Sequence, residues 1–300
     1  MKRPRQPYVL LLAAATILLL ALIALRRAQI ARTPSPRLAV AATIYPLYDI
    51  VRNVADGAAD VRLIVPPGVS PHLFEFSPRQ LQTLQDVRLI FTIGHGLDDW
   101  AAQAARATKE ARLFPVDQGI RLRTSSDGAA DPHYWLHFGN ARQIAANVAR
   151  GLSVSDPAHA ATYRQNAVRY QDTLKRTEEQ LKALLRPLDD TPILTFHDAW
   201  HYFAANFDLR IAGTIEPSAG GEPTPRTLAE LHKIIQSQNI RIVFLEPQLA
   251  TSVIESFARD NHLGIAELDP LGGVDGRTTY IDLMTFNARA IDRAYAVEDP

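Results

Sequence analysis

From Asp156 to Pro187 the sequence carries one unbroken helical period, in which Tyr163, Ala167, Tyr170, Leu174, Leu181 and Leu184 return to the same face. Asp156 and Pro157 mark its start, because aspartate caps a helix and proline suits its first turn, and Pro187 marks its end. About 30 residues at 1.5 Å each predict a helix of roughly 45 Å. A connection of this length is uncommon inside one compact unit, so it is expected to join two. Packed along both, such a helix should resist the wide hinge closure that flexible linkers permit.

On either side, short apolar runs alternate with helical patterns. Leu38 to Ile44, Val61 to Val65 and Val87 to Ile93 precede the long helix; Ile193 to Phe196, Leu209 to Thr214, Ile240 to Leu245 and Gly264 to Leu268 follow it. Between them fall Pro46 to Ala55, the helix start Ser77-Pro78, the face Leu228, Leu231, Ile234 and Ile235, and the face Tyr280, Leu283, Met284, Asn287 and Ile291. This is the βαβ rhythm of parallel sheets. The expected fold class is α/β, with two parallel-sheet α/β lobes joined by one long rigid helix and a cleft between the lobes. The expected boundaries are an N-terminal lobe over 38–155, the connecting helix over 156–187 and a C-terminal lobe over 188–300. A chain of 300 residues has ample material for two cores.

The first 37 residues read as a signal or membrane anchor and a linker. Lys2, Arg3 and Arg5 precede an uncharged run from Tyr8 to Leu25 that stops at Arg26 and Arg27. The run is longer than a signal-peptide core of about 7 to 15 residues and close to the roughly 20 that span a bilayer. Both a cleaved export signal and an uncleaved anchor with an inward N-terminus therefore remain open, with the body in the periplasm or on the outer face of the cytoplasmic membrane. There is no cysteine, so neither disulfides nor a lipid-modified cysteine is available, and any zinc site must use His, Asp and Glu. The 32 basic residues balance the 32 acidic ones, which speaks against nucleic acid as a partner.

Of the nine histidines, the informative ones sit where predicted strands end or helices begin. His72 lies in the turn after the second strand, His133 just before the helix carrying Ala141 to Leu152, and His197 after the strand Ile193 to Phe196, opening a helix over Asp198 to Asn206. Asp269 ends the last strand. Ligands of open parallel sheets bind beyond the carboxyl ends of the strands, where loops converge. Three imidazoles and a carboxylate form a reasonable tetrahedral set for zinc and a tolerable one for manganese. Their wide separation excludes a zinc finger and places the ion between the lobes.

Several motifs occur in one order: Ala42-Thr43-Ile44-Tyr45-Pro46-Leu47-Tyr48, Pro71-His72 with Ser77-Pro78, Asp131-Pro132-His133-Tyr134-Trp135-Leu136 with Asn140-Ala141, His197-Asp198-Ala199-Trp200 with Tyr202-Phe203, Glu216-Pro217-Ser218, and Leu268-Asp269-Pro270-Leu271-Gly272. Together they resemble the zinc/manganese solute-binding proteins of ABC transporters, from about Leu38 to the C-terminus. The resemblance implies metal positions at His72, His133, His197 and Asp269, with Zn2+, alternatively Mn2+, as the transported ligand. It further implies an ABC permease and its ATPase subunit as partners of a monomer with no enzymatic activity. Two departures are visible: Ser70 stands where the family often has an acidic residue, and Arg123 to Ala130 contains no histidine where zinc-specific members carry a His-rich loop. A histidine at the third position, where manganese-specific members commonly have a carboxylate, favours zinc.

His137 and His201 stand four residues beyond His133 and His197 and are expected to be structural, as are His95, His159, His232 and His262. Glu216 and Glu246 end or follow strands, where a salt bridge and coordination are both open. Affinity is expected to fall as pH drops through the histidine range near about 6.5. Two rival readings remain: a binder of chelated metal, such as a siderophore or haem, and a zinc hydrolase, although HExxH, GxSxG and P-loop motifs are all missing.

Overall fold

A computed structural model of the chain describes Thr16 and residues 37–108, 111–125, 128–216, 223–248 and 252–296. The export segment apart from Thr16, and Pro217 and Ser218 of the Glu-Pro-Ser motif, lie outside the described residues. Among the described residues no helix is long and apolar enough to cross a membrane.

The apolar runs of the first half form a four-stranded parallel sheet from β1 (Leu38–Ala42), β2 (Ala59–Leu63), β3 (Leu89–Thr92) and β4 (Arg112–Pro115), in the order β2-β1-β3-β4. Its helices are α1 (Tyr45–Ala55), α2 (Pro78–Gln82), α3 (Ala101–Ala107) and α4 (Phe138–Ser155). Ser77 caps α2 in a reciprocal box with Gln80. The long helix α5 covers Ala160–Leu185, with single 3-10 turns at Pro157–His159 and Arg186–Leu188 extending it at both ends. The Asp156 carboxylate anchors its start, accepting from Tyr163 Oη at 2.7 Å and from His159 Nδ1 at 2.6 Å.

The second half repeats the same topology. Strands β5 (Pro192–His197), β6 (Arg210–Glu216), β7 (Ile242–Leu245) and β8 (Gly264–Glu267) are parallel in the order β6-β5-β7-β8. They are joined and followed by α6 (His201–Asn206), α7 (Pro225–Gln238), α8 (Ser252–Asp260) and α9 (Tyr280–Ala296). The strand β4 gave no apolar signal because it is an edge, carrying Arg112, Pro115 and a largely exposed surface. The helix expected from Asp198 begins three residues later, after a turn in which Asp198 Oδ1 meets His201 Nε2 at 2.7 Å.

Side chains alternate across each strand, so a sheet covered on both faces needs apolar residues at successive positions. Val40, Leu89 and Phe91 of the first sheet, and Ile193 and Phe244 of the second, point to one shared core with Tyr163, Tyr170, Leu174 and Leu181 of α5 and Met284 and Ile291 of α9. The alternate residues Ala41 and Ile90, and Leu194 and Val243, pack into separate outer cores. The long helix thus lies against α1, α4 and α9 and belongs to both lobes. Strand order reverses between β1 and β3 and again between β5 and β7, which opens a crevice at the carboxyl end of each sheet.

Candidate metal centre

His72 occupies the single 3-10 turn Pro71–Leu73, in the loop after β2. Trp100 Nε1 donates to Pro71 O at 2.9 Å, and the buried Phe74 packs edge-on against the same indole, so the turn is held from both sides. His133 ends the segment after β4. The carboxylate of Asp131, two residues earlier, accepts from His133 N at 3.0 Å and from His133 Nδ1 at 2.9 Å. Tyr134 Oη donates to Ile93 O at 2.8 Å and Trp135 Nε1 to Pro270 O at 2.9 Å, which ties this segment to the end of β3 and to the second lobe. His197 is the last residue of β5. Its Nδ1 lies 3.4 Å from Oε2 of Glu246, the residue after β7, and Oε1 of Glu246 accepts from Trp200 Nε1 at 2.8 Å.

The three imidazoles converge. One ligand atom from each of His72, His133 and His197 lies within 4.8 Å of the others, and Nε2 of His72 is 3.2 Å from Nε2 of His133. They meet in a cavity lined also by Ser70, Leu97, Trp135, Glu246, Gln248 and Leu271. Burial, and then the neighbouring imidazoles of His133 and His197, push the His72 pKa down to about 3. Burial also pulls His133 down, against the opposing pull of Asp131. His197 behaves oppositely: burial disfavours its charge, but the hydrogen bond and charge of Glu246 outweigh it and raise the pKa. Carboxylates behind the Nδ1 atoms of His133 and His197 orient the rings and leave Nε2 as the nitrogen for a cation.

Asp269 stands apart from this group. Its Oδ1 accepts from Leu271 N at 2.9 Å, Gly272 N at 3.0 Å and Gln248 Nε2 at 2.7 Å. The turn it organises needs glycine: Gly273 has φ 84°, and a Cβ there would fall 2.6 Å from the Tyr45 ring. Asn287 of α9 clamps the Asp269 peptide on both sides, accepting from its N–H at 2.8 Å and donating to its carbonyl at 2.7 Å.

The remaining histidines have other partners or places. His137 caps α4 by accepting from Gly139 N at 2.9 Å, and His133 precedes that helix, so the two share no helical face. The pair His197 and His201 is likewise split between β5 and the start of α6. His95 pairs with Asp117 at 2.9 Å, His232 meets Asn261 at 2.5 Å, and His262 occupies a turn at φ 56°.

Sequence reasoning assigned no role to Asp131 or Arg123 and left Glu246 between two. The Asp-x-His spacing and the place of Glu246 directly after a strand were the available signals. Arg123 has none in the sequence: its guanidinium lies 3.3 Å from Asp131 of its own segment and reaches Asp198 at 3.9 Å only because the two lobes abut.

Two parallel sheets of like topology, bridged by one long helix and bearing a trio of imidazoles, two of them buried, where they meet, define a metal-binding protein of the helix-linked, two-lobed class. The family model for zinc-uptake complex component A, periplasmic, matches residues 40–294, and the chain belongs to that family, the metal-binding components of ABC importers. It is similar to the high-affinity zinc uptake system protein ZnuA of Brucella abortus, 27% identical over 293 residues with 82% of this chain and 88% of the relative covered. It is also similar to the manganese-binding lipoprotein MntA of Halalkalibacterium halodurans, 27% identical over 248 residues with coverage of 80% and 83%. A crystal structure of ZnuA superposes with a TM-score of 0.78 at 27% identity, covering 86% of this chain and 99% of that one.

Proposed function

We propose that the chain captures zinc, with manganese as the weaker alternative, through Nε2 of His72, His133 and His197, completes the shell with the carboxylate of Asp269, and hands the ion to its permease and ATPase. The observation that carries this reading is the approach of three histidine ligand atoms to within 4.8 Å of one another in a buried cavity. Three nitrogen donors suit zinc better than the harder manganese. Asp269 is supported as the fourth donor by its place on the turn whose Pro270 and Leu271 line the cavity and by its Oδ2, which accepts no hydrogen bond and is held by the Arg277 guanidinium at 3.2 Å.

The protein acts by capture and release with no covalent chemistry, because four protein donors leave zinc no open position for a substrate. A siderophore or haem is disfavoured, since none of the described residues lining the cavity is an arginine. The N-terminal run from Tyr8 to Leu25 holds a monomer at the outer face of the membrane.

Calorimetric titration of the full chain, stripped with a chelator, tests the assignment. Zinc is expected to bind more tightly than manganese, and His72→Ala, His133→Ala and His197→Ala are each expected to weaken zinc by about a hundredfold or more. Asp269→Ala should weaken it less, since water can replace one oxygen donor. Undiminished binding by the histidine variants refutes the site.

A further inference from the structure

We propose that Gln248 is a gate: in the metal-free protein it holds the Asp269 carboxylate out of the cavity, and entry of the ion exchanges the Gln248–Asp269 hydrogen bond for an Asp269–metal bond. The inference rests on the zinc-site reading above and concerns how that site closes.

The two residues follow neighbouring strands, Gln248 three positions beyond the end of β7 and Asp269 two beyond the end of β8. Gln248 lines the cavity together with the three histidines, whereas Asp269 does not and is only 1% exposed. The amide of Gln248 therefore stands between the carboxylate and the cavity, joined to Oδ1 by the shortest of the three hydrogen bonds that this oxygen accepts, at 2.7 Å.

Two buried oxygens at this junction accept no hydrogen bond: Oδ2 of Asp269 and Oε1 of Gln248. Arg277 Nη1 comes within 3.2 Å of Oδ2, but its hydrogen bond goes to Glu267. Oδ2 is thus held by charge alone, whereas Oε1 of Gln248 has no partner, and a buried acceptor left unpaired beside three imidazoles is costly until a cation reaches it. Of the pair, the carboxylate is the stronger ligand because it brings charge to a site whose other donors are neutral. The amides of Leu271 and Gly272 keep Oδ1 in place, so once the Gln248 amide withdraws from the cavity side the carboxyl group has a fixed pivot about which Oδ2 turns from Arg277 toward the ion.

A gate opposes binding, so its removal should tighten the site, which neither a direct ligand nor a turn-stabilising clamp would do. The full chain is compared with Gln248→Met, which keeps the volume and deletes the amide, with Gln248→Ala, with Asp269→Ala and with Gln248→Met/Asp269→Ala. Zinc affinity is measured by competition against a chelator, and the metal-free melting temperature is recorded for each. Expected is an affinity gain of about tenfold for either Gln248 variant, equivalent to one charge-assisted hydrogen bond, and no gain when Asp269 is already alanine. Weaker binding by Gln248→Met would make Gln248 a ligand and overturn the gate. Unchanged affinity, or a gain that persists without Asp269, would overturn it equally. Failure of the parent chain to bind zinc would sink the site itself, an outcome distinct from a parent that binds and a Gln248 variant that gains nothing.

Discussion

The three imidazoles differ in how they hold protons, and that difference sets how the site answers pH. Treated as free histidines, all three would titrate near about 6.5 and compete with the ion together. The fold separates them. His72 and His133 are kept neutral by burial and by like neighbours, His72 down to about 3, while the Glu246 carboxylate prolongs the charged state of His197 beyond the usual range. Zinc binds the deprotonated rings, so near pH 6.5 the proton it displaces comes chiefly from His197. Affinity should therefore fall about tenfold per pH unit as pH drops below the raised His197 value, a slope of one proton, with His133 entering at lower pH and His72 near about 3. Titration calorimetry in buffers of different ionisation heat should count at most about one proton released per zinc at pH 6.5, and a count near three would contradict this division. Glu246→Gln should reduce that release, since the carboxylate that holds the His197 proton is gone. For metal-free stability the signs are opposite. His197 contributes stability that is present below about 6.5 and lost as pH rises through its folded value, whereas His72 and His133 cost stability as pH falls below about 6.5.

At the scale of elements, the site depends on how strand ends are fixed to helices. Asn287 is fully buried on α9 and satisfies both backbone groups of Asp269. Replacing it with leucine keeps the volume but leaves a buried N–H and a buried carbonyl unpaired, so Asn287→Leu should lower the unfolding free energy by about 3 kcal/mol, measured in urea. Zinc affinity should drop with it, because the turn bearing Asp269 loses its anchor. The strands themselves were legible in the sequence where both faces are covered, as in Leu89 to Thr92, since burial on two sides demands an uninterrupted apolar run. The edge strand Arg112–Pro115 was not, because an edge is written in charge and proline. The same distinction governs the site. His72, His133 and His197 announced themselves by position at strand and helix ends and by the motifs around them. Gln248 and Arg123 did not, because what they do depends on contacts with Asp269, 21 positions away, and with Asp198 across the lobes, which no local periodicity encodes.

For the whole molecule, the decisive feature is that one hydrophobic core runs from β1 and β3 through the long helix to β5, β7 and α9. Polar bridges reinforce it at the seam: Asn206 of α6 accepts from Phe138 N of α4 at 3.0 Å, and Tyr202 Oη accepts from Arg123 N at 2.7 Å. Hinge closure about a flexible strand costs little because few contacts cross it, but here any rotation of the lobes would have to shear close-packed side chains such as Tyr170 and Leu174. The ion must therefore be gripped by movement of loops, with the lobes staying as they are. Two consequences can be measured together. Heating the metal-free chain should give one cooperative transition, since neither lobe can unfold without exposing the core of the other, and zinc at about a thousand times its dissociation constant should add about 4 kcal/mol, raising Tm by roughly 8 °C. Small-angle scattering with and without zinc should superimpose. Two separate melting steps, or a contraction on loading, would mean that the long helix links the lobes without uniting them, and the mechanism would then be closure of a hinge in place of the closing of a loop.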